Sequence, residues 1–369
     1  MKVLYTATVL SHICQFHLPY LKLFKEKGYE VHVAARDNLA EKNGLELKFA
    51  DKLINVPFSR SPRSMQNLKA LKQLKQLFKE EYYDLIVCNT PMGGIVTRWA
   101  AKKTRKKGTK VIYMAHGFHF YKGASKKSWM VFYPIEKFFA KRCDTVITIT
   151  DEDYKLASKK FKTNVIRMHG AGVDGDRHHF VDDSQKFALR EQFNLGKDDF
   201  ICLCVGELNA NKNQGRLVSL VPKLKAKIPN FKLILAGNGN TKEELGIQIK
   251  ELGLEEDVTL IGYQPKIENY VRACDVAVSV SKREGLPFNI VEAMLTKKPV
   301  VVSQNRGHRE LVKDGETGFI TSDDKQIEDS IVRLFEDKEL YSNIAERAYE
   351  YAKAYTVQST IEEFKTILE

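Results

Sequence analysis

Short runs of β-branched and aliphatic residues recur along this chain, each separated from the next by a stretch of helical periodicity. That alternation leaves few folds open. The runs fall at 3–9, 30–34, 55–58, 84–88, 110–115, 145–150 and 165–168. The series then starts afresh at 200–205, 231–236, 258–261, 276–280 and 299–303. Helical patterns lie between them, at 16–27, 64–79, 94–107 and 129–141, then at 214–227, 242–252, 288–296, 326–335, 341–354 and 359–368. Continuous apolar runs mark strands buried on both faces, and intervening helices make right-handed crossovers between parallel strands. The spacing therefore predicts an α/β chain of two doubly wound domains. The seam is read at Gly170-Ala-Gly-Val-Asp-Gly-Asp, which has no hydrophobic periodicity, giving domains 1–172 and 173–369. The last helix is expected to cross back to the first domain.

Composition narrows the setting. A length of 369 residues and a hydrophobic share of 43% suit two packed cores. The six cysteines are scattered without a C-x-x-C pair, and most lie in strand-like runs. They read as small buried hydrophobes in a reducing compartment, against disulfide or zinc chemistry. No run approaches the roughly 20 apolar residues of a membrane span. The first nine residues read as a strand, not a secretion signal, so the expected location is cytoplasmic. The first strand leads into no G-x-G-x-x-G turn, which excludes a nicotinamide dehydrogenase.

Charge is divided unevenly. Residues 1–180 hold 33 Lys+Arg against 16 Asp+Glu, net +17, whereas 181–369 hold 26 against 31, net −5. A basic half implies an anionic partner on one side, and nucleic acid is not the expected one. Leu68, Leu71, Leu74 and Phe78 form one stripe of the 64–79 helix, bordered by Lys72, Lys75 and Lys79. With the 102–107 cluster, this stripe predicts peripheral attachment of the first half to an anionic membrane surface. The competing reading packs those leucines on the sheet.

In open α/β sheets, chemistry gathers outside the carboxyl ends of strands. After the fourth strand of the second series comes Ser281-Lys-Arg-Glu-Gly-Leu-Pro-Phe-Asn-Ile-Val-Glu, with Glu284 in a loop and Glu292 inside the following helix. Gly285 permits a sharp bend and Pro287 presets helix entry. The helix amides favour an anion such as a phosphate, with Leu286, Phe288 and Asn289 at the helix start. A carboxylate one turn inside suits the hydroxyls of a ribose, and one in the loop suits a hexose beyond the phosphates. The segment after the strand at 200–205 reads Gly206-Glu-Leu-Asn-Ala-Asn-Lys, placing Lys212 at a helix opening beside Gly206 and Glu207. An ammonium there opposes the helix dipole unless an anion lies between them. Asn238, in the turn Gly237-Asn-Gly-Asn, stands at the same sheet edge. In the first half, Met114-Ala-His-Gly-Phe-His-Phe puts His116 at a strand's carboxyl end, with His119 a weaker candidate among packing aromatics.

Together these residues resemble glycosyltransferase family four, retaining enzymes of the GT-B fold. The E-x7-E signature appears as Glu284 and Glu292 in EGLPFNIVEAM, and GHRELVKDGETGFI follows it. KVLYTAT, AHGFHF, GAGVD and GELNANKN extend the likeness over the whole chain, with the capsular and exopolysaccharide subset most similar. The resemblance implies two Rossmann-like domains facing each other across a crevice, acceptor-side first and nucleotide-sugar-binding second. It implies transfer from a UDP-N-acetylhexosamine or UDP-hexose to a hydroxyl of a glycan or polyprenyl-diphosphate-linked glycan, on the inner face of the cell membrane. It assigns Lys212 to the donor diphosphate, Glu292 to the ribose, Glu284 with the following amides to the transferred sugar, and His116 to the sugar near its reacting carbon. Lysine and helix amides take the place of magnesium, so neither metal nor cofactor is expected beyond the nucleotide-sugar itself. Two departures stand out. The family has an arginine where this chain has Glu207, and a glycine-rich loop where this chain reads Leu10-Ser-His-Ile-Cys-Gln-Phe-His. A UDP-sugar 2-epimerase on the same fold, or a catalytically silent nucleotide-sugar-binding partner, are the alternatives.

Overall fold

The apolar runs form two all-parallel sheets in a computed structural model that describes residues 1–41 and 44–369. One compact unit comprises Met1–Gly172 with Thr360–Glu369, and the other Val173–Ser359. The first contains β1 (Lys2–Val9), β2 (Glu30–Arg36), β3 (Lys52–Asn55), β4 (Leu85–Asn89), β5 (Lys110–Ala115), β6 (Thr145–Thr148) and β7 (Asn164–Arg167). Their order is β3-β2-β1-β4-β5-β6-β7. The second contains β8 (Phe200–Val205), β9 (Phe231–Ala236), β10 (Val258–Gly262), β11 (Val276–Ser279), β12 (Val300–Ser303) and β13 (Phe319–Thr321), in the order β10-β9-β8-β11-β12-β13. In each sheet the winding reverses beside the first strand, at β1/β4 and at β8/β11. Such switch points open a crevice at the carboxyl ends of the strands, where ligands bind. The doubly wound α/β expectation holds for both units. Among the described residues, no helix is long and apolar enough to cross a membrane.

Local departures have local causes. The third strand was expected at 55–58 but runs Lys52–Asn55. Val56 still donates to the Ala35 carbonyl at 3.0 Å, but Pro57 has no N–H to continue the ladder. The helix expected at 16–27 is two helices, Leu10–Phe16 and Leu18–Glu26, broken at His17. Pro19 explains the break, because its ring excludes the carbonyl four residues earlier. A helix therefore replaces the loop after β1. Short elements with weak periodicity, such as Arg306–Leu311 and β13, were not expected.

The proposed membrane stripe is a correction. On the helix Gln66–Glu80, Leu74 is buried, and Leu71 and Phe78 pack against the first unit's core. Of the stripe, Leu68 alone is well exposed. Those leucines face the sheet, as amphipathic helices of α/β folds do.

The last helix, Val357–Leu368, carries Thr360–Glu369 onto the first unit. Phe364 is fully buried, edge-on to Tyr20 with centroids 5.1 Å apart and to Phe24 at 6.0 Å. The His169 N–H donates to Glu363 Oε2 at 2.9 Å, and Lys110 Nζ donates to the Ile367 carbonyl at 3.2 Å. Removing a buried phenyl ring costs about 3–5 kcal/mol through lost transfer energy and the cavity left behind. Phe364→Ala is therefore expected to lower the unfolding free energy of the first unit, read from a urea titration, by an amount in that range. A change under about 1 kcal/mol would mean the helix is not part of that unit's core.

Candidate functional site at the carboxyl edge of the second sheet

The segment after β8 folds on itself before its helix, Gly215–Lys225, begins. Asn209 Oδ1 accepts from the N–H groups of Asn211 (3.0 Å) and Lys212 (2.9 Å), closing a tight turn that fixes the lysine backbone. Gly206, at the strand's end, lies under the lysine stem: a Cβ built there would stand 3.0 Å from Lys212 Cε. The Glu207 carbonyl accepts from Gln214 Nε2 at 3.1 Å, and its side chain points to solvent. Asn238, after β9, accepts from the Leu208 N–H through its own carbonyl at 3.0 Å.

The loop after β11 is tied to this turn. The Lys282 N–H donates to the Asn211 carbonyl at 2.8 Å, and Asn211 Nδ2 donates to the Arg283 carbonyl at 3.0 Å. From the other side, Ser303 Oγ (2.6 Å) and Asn305 Nδ2 (2.9 Å) hold the Ser281 carbonyl. Gly307 lets the helix Arg306–Leu311 approach, since a Cβ there would lie 2.5 Å from the Gly285 carbonyl oxygen. In this frame Lys212 Nζ donates to Glu284 Oε1 at 2.6 Å. Two residues given separate ligand contacts from sequence are thus a direct ion pair. With both side chains mostly buried, the pair fixes a positive group at the mouth of a helix and a carboxylate in the loop.

The helix Phe288–Leu295 starts without a side-chain cap. No side chain bonds its first-turn amides, as at an anion site, although the Ile290 N–H goes to the Pro287 carbonyl at 3.1 Å. Leu286 and Phe288 pack their side chains into the second unit's core, leaving their backbone as what they can offer a ligand. Asn289 Nδ2 donates to the Val205 carbonyl at 3.0 Å, pinning the helix start to β8. Glu292 stands apart from the Lys212–Glu284 pair. Its closest basic group is His178 Nε2, at 3.8 Å. Burial pushes the Glu292 carboxyl up to about 7, the Arg177 charge holding it back and Glu268 adding to the rise. A carboxyl raised toward neutrality can donate as well as accept.

Sequence reasoning gave His308 no role, although it sits in the quoted GHREL stretch. It is fully buried, its Nδ1 lies 2.7 Å from the Ser303 carbonyl, and its Nε2 has no hydrogen-bond partner. Burial pushes it down to about 4, the Ser303 carbonyl and Glu284 opposing and Lys212 reinforcing the shift. This neutral ring therefore senses the ion pair. The Asn305 side chain caps its helix on the His308 N–H at 3.1 Å, a spacing visible in the sequence as N-x-x-H.

His116 belongs to the first unit, at the end of β5. Its Nε2 lies 3.2 Å from Asn89 Oδ1 and 3.4 Å from His12 Nε2, and His12 Nε2 lies 3.3 Å from His17 Nε2. His12 and His17 went unnoticed because β1 and β5 are separated in the sheet by β4, so only topology gathers the three rings. Burial lowers all three imidazoles, His12 to about 4, so they stay neutral. Among the described residues, theirs is the group whose ligand atoms, all within 4.8 Å, could hold a metal ion. As neutral rings they equally offer donors and acceptors to a sugar hydroxyl. His119 instead stacks on Phe132, 4.7 Å between centroids.

Similarity to known proteins follows the same division of the chain. The family model described as Glycosyl transferase 4-like matches residues 2–150, and Glycosyl transferases group 1 matches 185–351. EpsD of Bacillus subtilis (strain 168), a provisionally assigned glycosyltransferase, is 38% identical over 370 residues, covering 99% of this chain and 96% of that protein. The Escherichia coli UDP-Gal:alpha-D-GlcNAc-diphosphoundecaprenol alpha-1,3-galactosyltransferase is 26% identical, covering 90% of this chain and 87% of its own. Among solved structures, Anabaena Alr3699/HepE in complex with UDP superposes with a TM-score of 0.80 at 23% identity, covering 100% of this chain and 99% of that one. That likeness shows the fold, two doubly wound domains of the GT-B class.

The raised Glu292 carboxyl makes a stability prediction. Between its ordinary value of 4.5 and about 7, the folded state holds a proton that the unfolded chain releases. The stabilisation is complete below the lower value and lost as pH rises through the upper one. Relative to wild type, Glu292→Gln is therefore expected to gain thermal stability between pH 5 and pH 8. Unfolding midpoints that differ by the same amount at both pH values would show that the carboxyl is not raised.

Proposed function

The chain belongs to the glycosyltransferase family, and we propose that it is a retaining enzyme moving a sugar from a UDP-N-acetylhexosamine or UDP-hexose to a hydroxyl of a glycan or polyprenyl-diphosphate-linked glycan in surface polysaccharide synthesis. The observation that carries this reading is the bonded frame holding Lys212 and Glu284 beside an uncapped helix start, with Glu292 half-buried inside that helix and His178 Nε2 3.8 Å from it. The relative whose name specifies UDP-Gal and a diphosphoundecaprenol-linked acceptor supports the choice of nucleotide and acceptor, as does the UDP held by the HepE structure.

In this reading the donor diphosphate meets the first-turn amides and the Lys212 ammonium, which turns toward it from Glu284. Glu284 and the amides after it then hold the transferred sugar, and Glu292 holds the ribose. His116 contacts the sugar near its reacting carbon. Cleavage of the sugar–phosphate bond leaves negative charge on the diphosphate, and fixed donors stabilise it without reorganisation. Ordinary double displacement needs two carboxyl groups paired across the sugar, and one of these is occupied with the ribose. The acceptor hydroxyl therefore attacks on the face that the diphosphate leaves, and the diphosphate takes its proton. No metal is needed, and Glu207, where an arginine is usual, contributes its backbone.

The deciding experiment offers UDP-sugars with and without a polyprenyl-diphosphate-linked acceptor and identifies the products. Transfer with retained configuration supports the proposal, whereas a 2-epimer formed without acceptor replaces it with epimerase chemistry. In the same assay Lys212→Ala is expected to lower turnover on the order of 100-fold, and excess chelator to leave it unchanged. Near-normal transfer by the variant would remove Lys212 from the mechanism. By calorimetry, Glu292→Gln is expected to weaken UDP binding, and Glu284→Gln to spare UDP binding while impairing transfer. Equal losses of UDP binding would refute the division of roles.

A further inference from the structure

Trp99, Met130, Val131, Ile135 and Phe138 stand 48%, 75%, 43%, 37% and 53% exposed. Four of them lie on the helix Lys126–Ala140, where the i, i+4 spacings of 131 and 135, and of 130, 134 and 138, make one continuous stripe that includes exposed Pro134. The opposite face of this helix is apolar too: Phe139 and Ala140 are buried, and Trp129, Phe132 and Tyr133 pack against the first unit's core. A helix apolar all round is ordinarily buried all round. Here one side is bare. Trp99, from the helix Pro91–Ala100, joins the stripe through Phe139, 6.0 Å away, which is itself 5.2 Å from Phe138.

Charge surrounds the stripe. Between Arg98 and Arg142 the chain has 13 Lys+Arg and a single acid, Glu136. That acid is buried and bonded to Arg98 at 2.9 Å, so it screens nothing outside. Lys126 and Lys127 are exposed at the amino end of the helix, and Lys141 at its carboxyl end. Arg105 draws the Lys102–Lys107 segment to the same end, donating to the Lys141 carbonyl at 3.0 Å and to Asp144 at 2.7 Å.

We propose that this face docks the protein on an anionic phospholipid leaflet, the apolar stripe entering the acyl boundary and the flanking lysines meeting lipid phosphates. Aromatic and aliphatic side chains inside a basic rim are the chemistry of interfacial binding. A second copy of the chain is a poor occupant, because it would set a like-charged basic rim against this one. The inference does not rest on the donor site, whose residues lie in the second unit.

The test uses the full chain and vesicles of phosphatidylcholine with and without about 30 mol% phosphatidylglycerol, at ~0.1 M and ~0.5 M salt. Sedimentation with the anionic vesicles is expected, with part of the binding surviving high salt because the stripe inserts. Brominated lipids should quench tryptophan fluorescence, and Trp99→Phe should abolish that quenching. The doubly exposed change Met130→Asp with Phe138→Asp is expected to weaken vesicle binding at least about tenfold while UDP binding, followed by calorimetry, stays normal. Absence of sedimentation, quenching that persists in Trp99→Phe, or full binding by the double variant would each overturn the proposal. So would a wild-type dimer without vesicles that the double variant dissolves, since the face would then be a protein interface.

Discussion

In the second unit, glycines let backbone meet backbone past the ends of β8 and β9. Gly237 has φ +143°, and a Cβ there would lie 2.0 Å from the Gly206 carbonyl oxygen. With no side chain in the way, the segments leaving β8, β9 and β10 are joined beyond the sheet by backbone bonds. Gly206 donates to Ala236 at 2.9 Å, Leu208 to Asn238 at 3.0 Å, and Gly237 to Gly262 at 2.8 Å. The lysine turn grows from this extension of the sheet, so the sheet's rigidity reaches Lys212. In the proposed reaction this holds the lysine backbone in place, so that only its side chain turns from Glu284 when a diphosphate arrives.

Buried charge is handled differently in the two units. In the second, Lys212 and Glu284 satisfy each other at a partly open edge. In the first, Arg98 is fully buried, with its guanidinium 3.7 Å over the Tyr113 ring and paired to Glu136. Breaking such a pair leaves an uncompensated charge in low dielectric, so it locks the helix Lys126–Ala140 to the helix Pro91–Ala100. The same pair withdraws the segment's one acid from the surface, leaving the outer face apolar and cationic.

Much of this was legible beforehand because period and position carry it. Strands buried on both faces read as unbroken apolar runs, and twelve of the thirteen were placed from that signal, the third displaced by three residues. Lys212, Glu284 and Glu292 were singled out because each follows a strand in a doubly wound pattern. The exposed apolar stripe expected on the 64–79 helix failed for an equally physical reason. The 64–79 helix is amphipathic, which is how a helix looks when its apolar side is covered. The helix that exposes its apolar side is apolar on both, and a wheel drawn from sequence reads that as burial.

Sequence alone determined the α/β class, the two series of strands and the edge of the second sheet where polar groups gather, because local periodicity and turn chemistry need only near neighbours. It also supplied the family, through motifs whose residues lie close together in the chain. Tertiary structure alone decided which groups meet. Lys212 and Glu284 are 72 positions apart and become an ion pair because β8 and β11 are adjacent. His12, His17 and His116 cluster although another strand separates β1 from β5. Such contacts depend on strand order and on the burial that follows from it, and neither is written in any local stretch of the chain.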